Sequence, residues 1–251
     1  MRSIRLSTGR IALAALAIVA AAWLGQGHAR SALRTFVTSD RAAAAAERVR
    51  PRLERDLAAK GLAFAAPVFL RIFKRERELE LWVAGKGGRY ALFRTYPICT
   101  FSGRLGPKTK QGDGQAPEGF YRVARGQLNP ASAYHLAFNL GYPNAYDRAH
   151  AYTGDYLMVH GQCVSIGCYA MGDAAIEEIY TLVEAALRGG QPAVEVQAFP
   201  FRLEDAALAA ESGSRWQAFW SELKPGYDAF ERHRVPPRVT VQGKRYVVSE
   251  G

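Results

Sequence analysis

The reactive side chains of this chain are concentrated in residues 159–171, which read Val159-His160-Gly161-Gln162-Cys163-Val164-Ser165-Ile166-Gly167-Cys168-Tyr169-Ala170-Met171. A thiol and an imidazole can form a nucleophile–base pair, in which the thiolate attacks an acyl carbon and the imidazole moves the proton. Cys168 is the candidate nucleophile, and His160 is the candidate proton donor and acceptor. Because eight positions separate them, the segment must double back for the two side chains to meet.

The small and polar residues of this segment have predicted supporting roles. Gly161 and Gly167 supply the backbone freedom that a reversal needs, and Ser165 can hydrogen-bond within the turn. Backbone N–H groups at Ile166, Gly167 and Cys168 are candidate donors to an oxyanion. A helix predicted just after the segment has an N-terminal dipole that would modestly favour the thiolate.

The cysteine count bears on which thiol is reactive. The chain has three cysteines, Cys99, Cys163 and Cys168, and an odd count in an exported protein leaves at least one unpaired. We expect Cys168 to be free, which makes Cys99 and Cys163 the candidates for a disulfide in an oxidising compartment. A metal site built from His160, Cys163 and Cys168 is a weaker alternative, because a fourth ligand at a recognised spacing is missing.

The N-terminal residues 1–29 have the anatomy of a secretory signal. Three arginines precede an apolar run from Ile11 to Leu24, and Gly27-His28-Ala29 puts small residues at the two positions that a signal peptidase recognises. The run of 14 residues is short for a membrane span, so a cleaved signal and an uncleaved inner-membrane anchor both stay open. Either one places the body outside the cytoplasm and limits membrane contact to this segment.

The rest of the chain is basic. The full sequence has 33 basic and 23 acidic residues, and removing residues 1–29 takes away three arginines, which leaves 30 against 23, a charge of +7. A positive body is attracted to an anionic partner. Since an exported protein rarely meets nucleic acid, we expect a polyanionic envelope component and no nucleic-acid partner.

Hydrophobic periodicity predicts an α+β protein that is mainly β. Ser39-Asp40 would cap a helix that ends near Lys60-Gly61, and from Pro67 the pattern alternates with period two between turn residues, which favours antiparallel strands. The predicted parts are an N-terminal helical segment at 30–66, a catalytic domain at 67–201, and a C-terminal helical and hairpin extension at 202–251.

Two further segments are candidates for substrate contact. Residues 102–119 are rich in glycine and proline, so they form either a flexible connector or an ordered flap near the site. Downstream, a strand predicted through Tyr134 to Phe138 interleaves aromatic and polar groups in a way that suits a peptide. The candidate substrate-binding residues are Tyr134, His135, Phe138, Asn139 and Tyr142. The alternative for His135 is a partly buried structural histidine.

Four motifs together resemble the L,D-transpeptidase catalytic domain, the YkuD-type family, and within it the YafK-like branch. They lie between about Pro67 and Phe201, and they are Ser102-Gly103-x-Leu105-Gly106-Pro107-Lys108, Pro117-Glu118-Gly119-Phe120-Tyr121, Phe138-Asn139-x-Gly141-Tyr142-Pro143-Asn144, and His160-Gly161 with Ser165-x-Gly167-Cys168. The resemblance implies a YkuD-type, β-sandwich-like domain whose nucleophile is Cys168 and whose proton acceptor is His160. Ile166 replaces the second histidine of the usual Ser/Thr-His-Gly-Cys core, and the segment between the catalytic residues is short; both departures occur in the YafK-like branch.

The resemblance also implies a reaction and a place. The reaction is acyl transfer on peptidoglycan stem peptides through a thioester on Cys168, without a cofactor or a metal, in the periplasm of a Gram-negative envelope. An amine acceptor gives a crosslink or a lipoprotein attachment, whereas water gives hydrolysis, and some relatives of this branch release a wall-attached lipoprotein. An alternative of another class is a wall-binding module whose cysteine is catalytically idle.

Overall fold

The computed structural model of the chain describes residues 37–249. The predicted signal or anchor, residues 1–29, lies outside them. Between 37 and 249, no helix is both long and apolar enough to cross a membrane.

The described residues form helices and strands in a mixed order. The helices are α1 (Asp40–Ala59), α2 (Ala145–Ala149), α3 (Asp173–Arg188), α4 (Asp205–Ala210) and α5 (Gln217–His233). The strands are β1 (Val68–Phe73), β2 (Glu78–Ala84), β3 (Tyr90–Pro97), β4 (Thr100–Phe101), β5 (Gly119–Ala124), β6 (Leu128–Asn129), β7 (Ala137–Asn139), β8 (Met158–His160), β9 (Tyr169–Ala170), β10 (Ala193–Phe199), β11 (Arg238–Gln242) and β12 (Arg245–Ser249). The α+β class expected from the sequence is confirmed.

The strands form two five-stranded sheets and a C-terminal hairpin. One sheet has the order β3-β2-β1-β10-β5, the other has the order β4-β9-β8-β7-β6, and β11 pairs with β12. Most neighbours are antiparallel as expected, but β1–β10 and β8–β9 are parallel. In both parallel pairs the chain between the two strands returns to the end of the sheet where the first strand began. Turn residues in the sequence do not predict such a return.

Strand β1 is the centre of the first sheet, and all six of its residues are buried. Helix α5 covers one face, where Phe69 lies 4.6 Å from Phe230 between ring centroids. The helix comes close because Gly226 has no side chain: a Cβ at this position would lie 2.5 Å from the Phe120 ring. Helix α5 therefore shields this face of β1 from solvent.

Helix α1 is part of the same body. It begins where the sequence predicts, because the Ala42 N–H donates to the capping side chain of Ser39 (3.1 Å). Its apolar face is buried and packs against α3. One residue of α1 also reaches the second sheet's connecting loops, because Arg41 donates to the carbonyls of Ser132 and His135.

The strand predicted through Tyr134 to Phe138 is wrong at its start. The observed strand β7 covers only Ala137–Asn139. His135 has φ +67°, a left-handed conformation that a strand residue does not adopt. Tyr134 and His135 therefore lie in a turn before β7, and their side chains are not arranged by strand alternation.

The glycine-rich residues 102–118 are ordered by a buried ion pair. Lys74 Nζ lies 2.9 Å from Glu118 Oε1, and neither side chain has any exposed surface. The ammonium also donates to the carbonyls of Gly106 and Ala116 (3.0 Å each). The carboxylate accepts from the Gly106 N–H (2.7 Å) and from the Trp220 indole N–H (2.8 Å). Of the two expectations for this segment, the structure has the ordered one.

We predict that Lys74→Met destabilises the fold by about 3–5 kcal/mol, because it leaves the Glu118 carboxylate buried without its countercharge. Urea denaturation measures this change. The matched control is Glu54→Gln, which breaks the exposed pair with Arg50 and should cost less than about 1 kcal/mol. Equal losses in the two variants would contradict the prediction.

Candidate active site

Cys168 lies directly before β9, with its sulfur held by backbone groups. The Met158 N–H donates to Cys168 Sγ (3.4 Å). The Cys168 thiol donates in turn to the carbonyl oxygen of Tyr156 (3.7 Å). The side chain is half-buried and not in a disulfide. The thiol is therefore fixed in position and still open to one side.

His160 ends β8 and is nearly fully buried. Its Nδ1 lies 2.6 Å from the carbonyl oxygen of Gly161. Since a carbonyl can only accept, Nδ1 carries the proton and Nε2 keeps its lone pair. The Tyr134 ring packs against the imidazole with a centroid distance of 4.9 Å and an angle of 40° between planes. The imidazole is thus held as the tautomer that can take a proton at Nε2.

The parallel pairing of β8 and β9 brings the two residues close along neighbouring strands. His160 is the Cα partner of Ala170, and Cys168 lies in the bend two residues before Ala170. The Cys168 sulfur contacts the N–H of Met158, which is two residues before His160 in β8. Residues 161–168 double back between the strands as expected. Within the described residues, no hydrogen bond joins the imidazole and the sulfur.

Both groups are neutral in the resting state. Burial raises the pKa of the Cys168 thiol above its usual value, although the Met158 N–H and the Lys108 charge oppose the rise. Burial also lowers the pKa of His160, against the opposing effect of its bond to Gly161. Helix α3 begins at Asp173, as expected, and β9 lies between it and the thiol in the chain. The effect of its dipole on the thiolate stays a prediction.

Ser165 holds the turn before the nucleophile, as expected. Its hydroxyl donates to the Cys168 carbonyl (2.7 Å) and accepts from the N–H groups of Gly167 (3.2 Å) and Cys168 (3.0 Å). Two of the three candidate oxyanion donors are therefore engaged by Ser165 in this structure. The third, the N–H of Ile166, has no hydrogen-bond partner among residues 37–249.

The two glycines of the segment act differently. Gly167 has φ +134°, a conformation that favours glycine. Gly161 does not have a positive φ; it is needed for close approach, because a Cβ there would lie 2.7 Å from Asp173 Oδ1 and 2.9 Å from the His135 Cβ. The other positive φ belongs to Gln162 (+55°). The reversal thus takes its freedom from Gln162 and Gly167, which corrects the role expected for Gly161.

A disulfide joins Cys99 to Cys163, with a Cα–Cα distance of 5.5 Å. This is the candidate disulfide that follows from the expectation that Cys168 is free. The bond anchors the middle of the catalytic segment to the end of β3, across 64 residues of chain. Because the Cys163 sulfur is used in this bond, it is not available to the alternative metal site with His160 and Cys168.

The candidate substrate-binding residues separate into two groups. Tyr134 is beside His160 and is 44% exposed, so it can contact a ligand. His135 instead bonds to Glu177 (2.9 Å), the structural alternative. Phe138 and Tyr142 are buried, and Asn139 closes a turn by accepting from the Gly141 N–H. Ion pairing, core packing and turn formation use these four side chains, and the substrate contacts expected of them stay predictions.

Exposed apolar side chains occur in the catalytic segment and in residues that contact it. Besides Tyr134, they are Tyr156 (70% exposed), Val164 (54%) and Ile166 (88%). Val164 and Ile166 flank Ser165, while the carbonyl of Tyr156 contacts the sulfur. A group of exposed apolar side chains indicates a contact surface, so the entrance to the thiol is suited to the carbon atoms of a ligand.

Two site residues were missed by the sequence analysis. Lys108 is buried, pairs with Asp113 (2.6 Å), and lies near enough to lower the pKa of the Cys168 thiol. Its signal was present, since it ends the Gly-Pro-Lys part of a quoted motif. Tyr156 has no such signal, because its contact with the sulfur is made by a backbone carbonyl.

The chain is similar in sequence to a known protein family and to named relatives. A family model described as YkuD, L,D-transpeptidase catalytic domain, matches residues 67–196. The chain is 55% identical over 185 residues to the protein named "Putative L,D-transpeptidase YafK" of Escherichia coli (strain K12), covering 74% of this chain and 75% of that protein.

Two solved structures are also similar. One is the helical cell shape determining protein Pgp2 from Campylobacter jejuni, with TM-score 0.43 and 19% identity over 70% of this chain and 67% of that chain. The other is Bd1075 from Bdellovibrio bacteriovorus, with TM-score 0.41 and 16% identity over 73% of this chain and 79% of that chain.

We predict that alkylation of Cys168 by iodoacetamide accelerates with rising pH, with a midpoint above the ordinary thiol value of about 8.5. Burial raises the thiol pKa, so the thiolate is scarce below that pH. Lys108→Gln should move the midpoint further up, because the variant removes a charge that favours the thiolate.

The control is Lys110→Gln, which removes an exposed charge of the same loop. It should leave the midpoint unchanged. A midpoint at or below the ordinary value, or the same shift in both lysine variants, would contradict this account of the thiol.

Proposed function

The chain belongs to the L,D-transpeptidase catalytic domain family, and from this membership we propose that it performs cysteine-dependent acyl transfer on peptidoglycan stem peptides. Cys168 is the nucleophile, and His160 is the proton donor and acceptor. The observation that carries the proposal is the pair itself. The free thiol contacts the backbone of β8 at Met158, two residues before an imidazole whose Nε2 is unprotonated.

The first half of the reaction forms a thioester. His160 Nε2 takes the Cys168 proton, and the thiolate attacks the carbonyl carbon of the meso-diaminopimelate residue in a tetrapeptide stem. The C–N bond to D-alanine breaks, and the imidazolium returns its proton to the leaving amine. Two neutral groups are suited to this sequence, because the proton moves only as the substrate is attacked.

The oxyanion of each tetrahedral intermediate needs hydrogen-bond donors. The Ile166 N–H is available, while those of Gly167 and Cys168 point at Ser165 Oγ. We assign Ser165 the role of holding these N–H groups in one turn. The hydroxyl keeps the donors oriented until the oxyanion competes for them.

The second half resolves the thioester. An amine acceptor gives His160 a proton and forms a new amide, which is transpeptidation; water forms a carboxylate, which is hydrolysis. Ile166 is 88% exposed beside the thiol and offers no proton-transfer group there. The second candidate is accordingly an amidase that releases a wall-bound lipoprotein from meso-diaminopimelate, a reaction in which the acceptor is water and His160 alone handles its proton.

The proposed place of action is the periplasm of a Gram-negative envelope, with either a cleaved signal or an inner-membrane anchor at residues 1–29. The basic character of the chain supports attraction to an anionic envelope surface. The partners in this proposal are peptidoglycan stem peptides and, for the amidase, a wall-attached lipoprotein.

We expect wild-type protein to change isolated cell wall while Cys168→Ala leaves it unchanged, because the variant lacks the sulfur that forms the thioester. Mass spectrometry of the wall measures the products. New diaminopimelate–diaminopimelate crosslinks identify transpeptidation, whereas a released lipoprotein that carries a wall fragment identifies hydrolysis.

His160→Ala is the companion variant and should lose most of the rate, since the proton then has no fixed carrier. Unfolding curves of both variants check that the fold is intact. Wall binding without any product from the wild type would support the idle wall-binding module instead, and full activity of Cys168→Ala would refute the thioester.

We also predict that Ser165→Ala lowers kcat at least about tenfold, because two oxyanion donors lose their fixed orientation. KM should change little, since Ser165 is not on the apolar entrance. Ser165→Thr keeps the hydroxyl and should restore most of kcat. A Ser165→Ala enzyme as fast as wild type, or a threonine variant as slow as alanine, would exclude this role.

A further inference from the structure

A cavity of about 530 Å³ lies on the outer side of the ordered glycine-rich loop. The loop supplies Arg104, Leu105 and Pro107 to its lining, and the chain leading into α5 supplies Arg215 and Trp216. Its volume is in the range of small-ligand sites. None of these residues takes part in the proposed chemistry at the thiol.

The charged side chains of the cavity are not neutralised. Arg104 and Arg215 are exposed, and between residues 37 and 249 neither guanidinium forms an ion pair. Asp113 also lines the cavity, but its carboxylate is occupied by Lys108 and by the N–H groups of the loop. The cavity therefore presents two free guanidinium groups and a carboxylate whose charge is already balanced.

The remaining lining is suited to a peptide. Trp216, Leu105 and Pro107 offer apolar surface, with the Arg215 guanidinium 4.7 Å from the centre of the Trp216 ring. The side chain of Gln115 fixes this wall of the cavity. Its amide oxygen accepts from the Arg104 N–H, and its amide nitrogen donates to the Arg104 carbonyl. Guanidinium groups match planar carboxylates in a two-bond geometry, and the apolar surface can cover the carbon atoms between them.

We propose that this cavity is a second binding site, and that its ligand is a peptide bearing carboxylate groups. Arg104 and Arg215 hold the carboxylates, and Trp216 packs on the side chain that carries them. Binding here needs neither Cys168 nor His160, so the site stands apart from the proposed reaction.

The cavity and the catalytic segment share a wall. A Cβ at Gly167 would lie 3.5 Å from the Gln115 carbonyl oxygen, and Ser102 Oγ is 3.3 Å from Ser165 Oγ. A peptide held by the two arginines would therefore contact the part of the glycine-rich loop that packs against the turn before Cys168. Gln115, which lines the cavity, is the link between this site and the catalytic segment.

The test uses nuclear magnetic resonance of the 15N-labelled protein, following the Trp216 indole N–H signal, which Trp216→Phe identifies by its loss. The probe is N-acetyl-Glu-Glu, and the matched uncharged probe is N-acetyl-Gln-Gln. We expect saturable shifts with the diacid only. Arg104→Gln and Arg215→Gln should each raise Kd about tenfold or more, because a charge-assisted pair is lost.

Three controls make the outcome specific. Arg238→Gln removes an exposed charge from β11, which does not line the cavity, and should change Kd less than about twofold. Cys168→Ala should bind like wild type, which separates this site from the proposed function. Arg104→Lys keeps the charge but loses the two-bond geometry, and should bind less tightly than wild type.

The proposal is overturned by any of three results. These are equal shifts with N-acetyl-Gln-Gln, equal weakening by Arg238→Gln and the two cavity variants, or displacement of the diacid by inorganic phosphate at the same concentration. The last result would mean that the arginines hold any small anion and that the apolar surface contributes nothing.

Discussion

The position of the active site depends on one buried ion pair. Lys74 at the end of β1 and Glu118 at the start of β5 are fully buried together, and their other partners are loop carbonyls, a loop N–H and the Trp220 indole of α5. A charge without its partner is very costly in the interior. The glycine-rich loop, the first sheet and α5 must therefore be assembled in one arrangement for either charge to be satisfied. That loop in turn brings Lys108 toward the thiol.

The candidate active site holds its two reactive side chains in fixed positions and favours their neutral forms. Backbone groups hold both the imidazole and the sulfur, while burial keeps each of them uncharged. A thiol of raised pKa is a weak nucleophile on its own. In the proposed mechanism the imidazole, fixed as the tautomer with a free Nε2, compensates by removing the proton when a substrate arrives. Lys108 supplies the remaining electrostatic help from the side of the loop.

Features that depend on local sequence were predicted well. The Ser39 cap of α1, the course of α3 and the C-terminal hairpin follow from capping, periodicity and turn residues. With Cys168 expected to be free, the three cysteines leave the two that form the disulfide. The family resemblance, carried by four motifs, led to the fold class that the two sheets confirm.

Features that depend on distant contacts were not predicted. The left-handed His135 follows from no local signal, and it removes Tyr134 from the strand pattern. Aromatic residues of one segment looked alike in sequence, yet Phe138 fills the core and Tyr134 faces solvent. The two-residue strand between Cys168 and α3 was also not anticipated. The N–H groups of Gly167 and Cys168 donate to Ser165 Oγ, which leaves only the Ile166 N–H of the three candidates without a partner among residues 37–249. The sequence does not predict which of the three is engaged.

The catalytic segment carries an oxidised cysteine and a reduced one five residues apart. Exchange between them would require the Cys168 thiolate to attack the bonded Cys163 sulfur, and only the thiolate is reactive in such an attack. Burial makes that species scarce. The raised pKa of the Cys168 thiol therefore protects the Cys99–Cys163 disulfide against exchange with Cys168, and protects the thiol itself against oxidation.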